Sequence, residues 1–409
     1  MTTGPQNAST SPPFRLLLAA GLLLTVIGCG TRDASFERNR VYLAKQENTA
    51  QFELSDEQVQ NISDILVFLF GTPNEPRVPE LSDVDTAVIL RSDDLRVAAG
   101  RVSSDQAGDP RGLYREHCAH CHGLGGSGAG PTAVFLAPHP RDFRRGIFKF
   151  KSTSGTLTPP TADDLARTIR NGNPGTAMPS FRLLNDDEIE PLVGYVRYLS
   201  IRGEVERALI FESIDQLDEY DLLVDMSLAE RDPDEFERQM ELVRDITADV
   251  VQRWIEAPTE LTPVPPKPEP WDQAASISRG RELFVGDVAN CAKCHGEHGY
   301  GDGQTEDYDD WAKEIIDPQN PDSADQYVQL GALQPRHIQP RNFHRGIYRG
   351  GSRPEDVYLR IHNGIAGTPM PAAPLKPEEA AADDRRLSSE DIWHLVDYVL
   401  SLSRETDDS

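Results

Sequence analysis

Apolar residues recur at helical intervals in three segments of the chain. Residues 55–70 begin with a Ser and are followed by a Gly, which are common residues at the start and the end of a helix. Their apolar positions share one face: Val59, Ile62, Ile65, Leu66 and Leu69. The other two segments begin where Asn185 precedes Glu188 and Ser388 precedes Asp391, and each pair has the spacing of a capping box. The pattern predicts three amphipathic helices.

The apolar face of helix 55–70 has two interpretations. Amphipathic helices usually cover the core of their own domain, but such a face can also dock a partner. Residues 29–107 contain little other recognisable chemistry. We therefore interpret 29–107 as an N-terminal helical or linker region that either packs on a neighbouring domain or serves as a docking surface.

A shorter apolar run from Leu16 to Ile27 follows Arg15 near the N-terminus. It is too short to span a bilayer and fits the core of a signal peptide. The following Gly-Cys resembles the end of a bacterial lipobox, which implies that residues 1–28 are removed and that Cys29 carries lipid. The chain is then exported and anchored to a bacterial membrane, facing the periplasm or the cell exterior. An ordinary secretory signal with an incidental Cys is the alternative.

Acidic residues dominate the middle of the chain. The segment 204–256 has 17 Asp and Glu against five Arg, and its apolar residues are spaced as in short helices. A Pro-rich segment from Pro258 to Pro270 follows, and its composition predicts an extended, semi-rigid spacer. Together these segments predict an acidic helical connector and linker over residues 203–273.

The pattern Cys-x-x-Cys-His occurs twice, at residues 118–122 and 291–295. It is typical of covalent haem attachment, in which two thiols add to the haem and the neighbouring His binds its iron. One copy can arise by chance or form half of a zinc site, but two copies in an exported chain favour haem c. The predicted attachment and ligand residues are Cys118, Cys121, His122, Cys291, Cys294 and His295.

An internal repeat surrounds the two motifs. Arg141 begins Arg-Asp-Phe-Arg-Arg-Gly-Ile-Phe, and Arg341 begins Arg-Asn-Phe-His-Arg-Gly-Ile-Tyr; a Met-Pro follows each, at Met178 and Met370. This duplication predicts that each Met binds the iron opposite its His, where a thioether sulfur raises the reduction potential. His362 is the alternative ligand to Met370.

Other residues of the repeat suit a haem pocket. Arg binds carboxylates bidentately, so Arg141 and Arg341 are predicted to hold haem propionates, with a surface ion pair as the alternative. The predicted apolar lining is Phe143, Ile147, Phe343 and Ile347. Tyr114 and Phe284, just before each motif, are predicted to pack the first helix of each copy against its closing helix.

Each copy resembles a class I cytochrome c domain, with Cys-x-x-Cys-His near its start, Met-Pro near its end and a closing helix. The resemblance implies a mainly α fold with two tandem helical haem domains, at 108–202 and 274–404, before a tail at 405–409. It implies two haem c groups, one in each domain. Family members often have a Pro after the Gly-rich loop whose carbonyl accepts a hydrogen bond from the His; Pro131 stands there in the first domain and Gln304 in the second. An acidic insertion near 302–325 is predicted to lie close to a haem or the repeat junction.

The resemblance implies a carrier of single electrons between periplasmic redox partners, in a respiratory chain, without an enzymatic activity of its own. Two alternatives stay open: a dihaem peroxidase, in which one iron has an open site, and a haem subunit of a larger dehydrogenase or oxidase. The net charge of −26 excludes nucleic acid as a partner. It favours a partner with a basic docking face, unless the charge serves only solubility.

Overall fold

The computed structural model describes residues 1–4, 34–218, 221–317, 319–373, 375–376 and 386–403. The proposed lipidation site Cys29 and the tail lie outside these ranges. Helices dominate the described residues, as predicted, and one short antiparallel hairpin is present, with β1 at Ser103–Ser104 and β2 at Pro110–Arg111. In this part of the chain, no helix is both long and apolar enough to cross a bilayer.

The described helices are joined by connections that range from a single residue, at Cys118 and Asp232, to the long segment 123–161. In order they are α1 (Arg40–Ala50), α2 (Asp56–Phe70), α3 (Ser92–Ala98), α4 (Leu113–His117), α5 (Ala119–His122), α6 (Ala162–Asn171), α7 (Asp186–Gln216), α8 (Leu228–Arg231), α9 (Pro233–Glu256), α10 (Gln273–Val285), α11 (Ala292–His295), α12 (Asp310–Lys313), α13 (Ala324–Gln329), α14 (Pro354–Asn363) and α15 (Ser389–Ser401).

Helix α2 forms as its sequence predicts. Ser55 caps its start in a capping box with Gln58, and Gly71 ends it. Its apolar face packs on α7 and is buried in the hydrophobic core. The face therefore belongs to the core and not to a docking surface.

Helix α7 begins at the predicted capping box of Asn185 and Glu188 but continues to Gln216. The first domain was predicted to end at residue 202, and the helix runs without interruption across that point. Its second half buries Val205 and Leu209 in the core that also contains α2. The start of the acidic connector is therefore continuous with the first domain.

The rest of the acidic connector also folds onto α7. Helix α9 buries one apolar face, which includes Met240 and Trp254, and turns its charged residues to solvent. Trp254 Nε1 donates to Glu204 Oε1 at 2.8 Å, and Arg253 pairs with the other oxygen of the same carboxylate at 2.8 Å. The connector is thus part of the first domain's core.

The Pro-rich segment lacks regular secondary structure beyond one short turn, but it is tied to both domains. Thr262 N donates to Ser152 O at 2.9 Å in the first domain. Trp393 Nε1 donates to Pro265 O at 3.0 Å in the second. The segment, predicted to be an extended, semi-rigid spacer, is therefore bonded to both domains along its length.

In the second domain, α10 crosses α15 at close range. A Cβ on Gly280 would lie 2.0 Å from His394 O, so only Gly permits this crossing. Phe284 packs against Tyr398 with ring centroids 5.3 Å apart, and Tyr114 packs against Tyr195 at 4.9 Å in the first domain. Both aromatic contacts agree with the predicted packing of first and closing helices.

Candidate haem sites

The attachment motifs lie on single helical turns. Cys118 precedes α5, and Cys121 and His122 lie in it, three and four positions later. Residues at these spacings are neighbours on one side of a helix, so the two thiols and the imidazole are brought together locally. All four motif cysteines are of intermediate burial, and α11 repeats the arrangement in the second domain. Burial raises the pKa of the Cys118 thiol to about 12 and that of Cys291 to about 11.

Each motif His is oriented by a backbone carbonyl. His122 Nδ1 lies 3.1 Å from Arg141 O, and His295 Nδ1 lies 3.3 Å from Arg341 O. Because a carbonyl only accepts, Nδ1 carries the proton, and Nε2 is left unprotonated and able to bind a metal. Burial lowers the pKa of His122 to about 4 and also lowers that of His295. Both rings are therefore neutral near pH 7, as iron ligation requires.

The carbonyl that orients each His comes from a different residue than the family pattern suggested. The expected acceptors were the carbonyls of Pro131 in the first domain and Gln304 in the second, two different residue types. The observed acceptors, Arg141 O and Arg341 O, occupy matching positions of the repeat. The two domains therefore do not differ in this hydrogen bond.

A Phe covers each imidazole ring. Phe143 stacks on His122 with centroids 4.5 Å apart, and Phe343 stacks on His295 at the same distance. Each Phe begins a short 3₁₀ turn and is held by its backbone N–H, which donates to a Gly carbonyl of the preceding loop. Phe143 and Phe343 were predicted to line the haem pockets. In the structure, each contacts the imidazole ring of the motif His in its own domain.

The two Met loops are built alike. Neither Met lies in a helix. Met178 N donates to Thr176 Oγ1 at 3.1 Å, and Met370 N donates to Thr368 Oγ1 at 3.3 Å. The Met178 and Met370 carbonyls accept from the N–H groups of residues 173 and 365, each at 3.1 Å. The loops thus present two half-buried Met side chains in equivalent backbone settings. His362, the alternative to Met370, lies in the last turn of α14 beside Tyr358.

Arg141 and Arg341 lie at the interface between the two domains. A Cβ on Gly367, in the Met loop of the second domain, would lie 3.2 Å from Arg141 Nη1. A Cβ on Gly175, in the Met loop of the first domain, would lie 3.4 Å from Arg341 Nη2. The contacts are reciprocal, so each Arg reaches the loop that carries the other domain's Met.

Two further cations were missed by the sequence analysis. Lys149 and Arg349 each stand eight positions after the repeated Arg, and this shared offset could have identified them. Arg349 Nη2 donates to Gly175 O at 3.3 Å. Burial, and then the charge of Arg141, lower the pKa of Lys149 to about 7; burial and Arg341 lower that of Arg349 to about 10.

The guanidinium groups of Arg341 and Arg349 are placed to bind the carboxylates of a bound cofactor. Among the described residues, Arg341 Nε and Arg349 Nε are buried without a hydrogen-bond partner in the protein. Unpaired buried donors are costly, and two neighbouring guanidinium groups also repel each other. Haem propionates would satisfy both groups, so the residues fit a haem. Within the described ranges, no three His, Cys, Asp or Glu side chains converge on a metal-ion site, so the zinc alternative has no ligand set there.

Comparison with known families agrees with this geometry. Residues 105–196 match the family described as cytochrome c oxidase, cbb3-type, subunit III, and residues 277–403 match the cytochrome c family. These matches define a helical electron-transfer haem protein. The chain is a dihaem cytochrome c with two tandem cytochrome c domains, and it carries two covalently bound haem c groups.

Among solved structures, the chain is similar to the reducing HAO-like protein complex Kustc0457/Kustc0458 of Kuenenia stuttgartiensis. The identity is 24%, the TM-score is 0.44, and the match covers 74% of this chain and 99% of that one. No curated protein matches the chain at a significant level.

Proposed function

We propose that this dihaem cytochrome c relays single electrons between redox proteins on the periplasmic side of a bacterial membrane, in a respiratory chain. The haem iron supplies the one-electron chemistry, and the protein supplies attachment, axial ligands and orientation. The observation that carries the proposal is the duplicated site, in which both domains hold a neutral His through Nδ1 and present a Met from an equivalent loop.

The proposal gives each site residue a role. Cys118 and Cys121 would attach the haem of the first domain, and His122 Nε2 and Met178 Sδ would bind its iron. In the second domain the same roles would belong to Cys291, Cys294, His295 and Met370. With a His and a Met available to each iron, neither haem would keep an open site for a substrate, which favours a carrier over a peroxidase.

The axial assignment is tested by spectroscopy of the purified holoprotein. Optical and magnetic circular dichroism spectra of the oxidised protein should show the long-wavelength charge-transfer band of Met-ligated ferric haem. Met178→Ala and Met370→Ala should each remove about half of its intensity, because each removes one sulfur ligand. His362→Ala is the matched control and should leave the band unchanged. A high-spin haem in the unsubstituted protein that binds cyanide or turns over peroxide would instead support the peroxidase alternative.

The proposed anchor is tested separately. Cys29→Ser should abolish incorporation of labelled fatty acid and release the protein from the membrane fraction, while both haems remain attached. If the unsubstituted protein carries no lipid, the N-terminal segment is an ordinary secretory signal. Co-purification from solubilised membranes distinguishes a free carrier from a subunit of a larger complex.

The acidic charge predicts the chemistry of a partner. With a net charge of −26, association with a basic redox protein should weaken as salt is added. Stopped-flow electron transfer to a basic and to an acidic small redox protein, at increasing ionic strength, measures this dependence. A rate to the basic protein that does not change with salt would mean that the charge serves solubility only.

A further inference from the structure

The positive charges of the two haem sites meet at the domain interface. Each repeated Arg contacts the other domain's Met loop through Gly367 or Gly175, as described above. Lys149 of the first domain is also close enough to Arg349 of the second for the two charges to influence each other. The electrostatic surroundings of one site therefore include groups from the other domain.

Three acidic side chains break the equivalence of the two sites. Asp142 stands where the second site has Asn342, and Asp309 and Asp310 belong to the insertion of the second domain; of the three, Asp309 acts most strongly on Arg141. Asp309 is 7% exposed and lines a cavity of about 100 Å³ together with Arg141 and Lys149 of the first domain. The next residue, Asp310, donates its backbone N–H to Gly367 O at 3.4 Å, beside the Arg141 guanidinium. The insertion of the second domain therefore places the buried carboxylate of Asp309 beside Arg141 and Lys149 of the first domain.

The insertion is held firmly in this position. Asp309 Oδ1 caps α12 by accepting from Ala312 N at 3.2 Å. Glu314, at the end of α12, pairs with Arg145 of the first domain at 2.5 Å and with Lys45 of α1 at 3.2 Å. Buried Ile315 and Tyr327 form a small hydrophobic cluster against α1. Asp309 is therefore fixed relative to the first site.

The charge balance at the two sites differs as a result. Burial raises the pKa of Asp309, but Lys149 and Arg141 both oppose that rise, as expected for an acid placed between two cations. In the second site, Arg345 acts on Arg341 just as the matching Arg145 acts on Arg141. Among the described residues, however, no acidic side chain acts on Arg341 as Asp309, Asp142 and Asp310 act on Arg141. The first site therefore has the smaller excess of positive charge, and an added negative charge stabilises ferric over ferrous iron.

We propose that Asp309, supplied by the second domain, lowers the reduction potential of the haem in the first domain below that of the haem in the second. Electrons entering at the first domain are then passed to the second. The inference rests on the proposed haem sites, and it assigns to the acidic insertion the role of setting the direction of transfer within the chain.

The test is a spectroelectrochemical titration of the holoprotein with two haems bound. Asp309→Asn removes the charge and keeps a side chain that caps helices well. The lower of the two couples should rise, with about a tenfold change in its equilibrium constant, or about 59 mV for one electron, and the gap between the couples should narrow. Asp325→Asn, an exposed position of the same insertion, is the control with the same change in net charge and should move neither couple.

Met178→His identifies the couple of the first domain, because a second His lowers the potential relative to Met. It should shift the same couple that Asp309→Asn shifts. If Asp309→Asn moves neither couple, moves both equally, or moves the higher one alone, the inference is wrong. If Met178→His shifts the couple that Asp309→Asn leaves in place, the inference is also wrong. If Met178→His leaves both couples in place, the assignment of Met178 as a ligand is wrong, and Cys118→Ala with Cys121→Ala, which removes the first haem, identifies its couple instead.

Discussion

The two haem domains have the same local site in very different surroundings. In both, a backbone carbonyl orients the motif His, a Phe stacks on its ring, and a Thr supports the Met loop. The first domain, however, shares a core with α1–α3 and α9, which contains 34 buried hydrophobic residues among those described. Among the described residues of the second domain, the corresponding core contains 13 buried hydrophobic residues.

The contacts that both domains share are those that a haem site requires, and the helices or insertions that differ are additions to that site. The repeated residues act over one or two turns of chain, so they form the same contacts in both domains. The added helices stabilise the first domain, whereas the addition to the second domain, the acidic insertion, lies against the first domain's site. We therefore expect the stability of the second domain to depend more on its haem, and the electrostatics of the first site to depend more on the neighbouring domain.

Among the substitutions considered, those that remove one haem at a time should have the largest effect on haem content and on protease sensitivity. Cys118→Ala with Cys121→Ala, and Cys291→Ala with Cys294→Ala, should each reduce haem content from two groups per chain to one. Loss of the second haem should also make the second domain sensitive to protease, because its own core is small. Loss of the first should leave α2, α7 and α9 protected. Haemochrome absorbance per chain and limited proteolysis with mass spectrometry measure both effects.

Cys29→Ala is the control for these variants and should retain two haems. Equal protease sensitivity of the two one-haem proteins would contradict the contrast in core size. A protein that keeps two haems after either double substitution would contradict the attachment residues themselves.

Phe284→Ala should destabilise the second domain by about 3–5 kcal/mol, the usual cost of removing a buried aromatic ring. Phe284 is 1% exposed and lies against Tyr398, Phe343 and the ring of His295. Urea unfolding followed by circular dichroism in the haem absorption region measures the loss. Its neighbour Val285, which is 43% exposed, provides the control in Val285→Ala. A loss within 0.5 kcal/mol of that control would mean that the small core does not depend on this ring.

Asp397 distinguishes the closing helices, since Gly194 stands at the matching position of α7. Its carboxylate accepts from Ser276 Oγ at 2.7 Å, from Trp271 Nε1 at 2.8 Å and from Lys267. Asp397→Asn should lower the free energy of unfolding by about 1.5–3 kcal/mol near pH 7, as for other hydrogen bonds to charged groups.

The effect of Asp397→Asn should depend on pH. Burial opposes ionisation, but the hydrogen bonds from Lys267, Ser276 and Trp271 lower the pKa of Asp397 below 3.8. A carboxylate with a lowered pKa in the folded state stabilises fully above its unfolded pKa and loses this contribution as the pH falls through its folded pKa. The difference between variant and unsubstituted protein should therefore shrink in acid; a difference that grows would contradict this account.

Tyr114→Phe should have the smallest effect, about 1 kcal/mol, the usual net value of one hydrogen bond. The Tyr114 hydroxyl donates to Gly123 O at 2.9 Å, whereas the second domain has Phe284 at the corresponding position. Thermal unfolding of the first domain measures the change, with Tyr300→Phe at an exposed position as control. No difference between the two variants would show that this hydrogen bond does not stabilise the first domain.

Some of these features could be predicted from the sequence because they depend on neighbours within a few residues. The capping boxes at Asn185 and Ser388 form as their spacing predicts, and Ser55 caps the start of α2 as expected. The contacts of Tyr114 with Tyr195 and of Phe284 with Tyr398 join distant residues, but the place of each aromatic residue just before its motif predicted them. The mainly α fold and the two cytochrome c domains follow from the repeat, and both are confirmed.

Other features could not be predicted, because they join residues that are far apart in the chain. The acidic composition of 204–256 predicted a connector, yet the buried face of α9 completes the core of the first domain. The Pro composition of 258–270 predicted a spacer, yet its backbone is bonded to both domains. The composition of a segment indicates how many of its residues prefer water. It does not indicate which surface of the protein the apolar residues of that segment will cover.

The sequence by itself determined the haem chemistry of this protein, because Cys-x-x-Cys-His places two thiols and an imidazole on one helical turn. It also determined that the chemistry occurs twice. Only the tertiary structure decided which charges each site experiences: Arg141 and Arg341 reach across to the opposite Met loops, and Asp309 enters the first site from the second domain. Electrostatic interactions act through space over several ångströms, so they follow the packing of the domains and not the order of the residues.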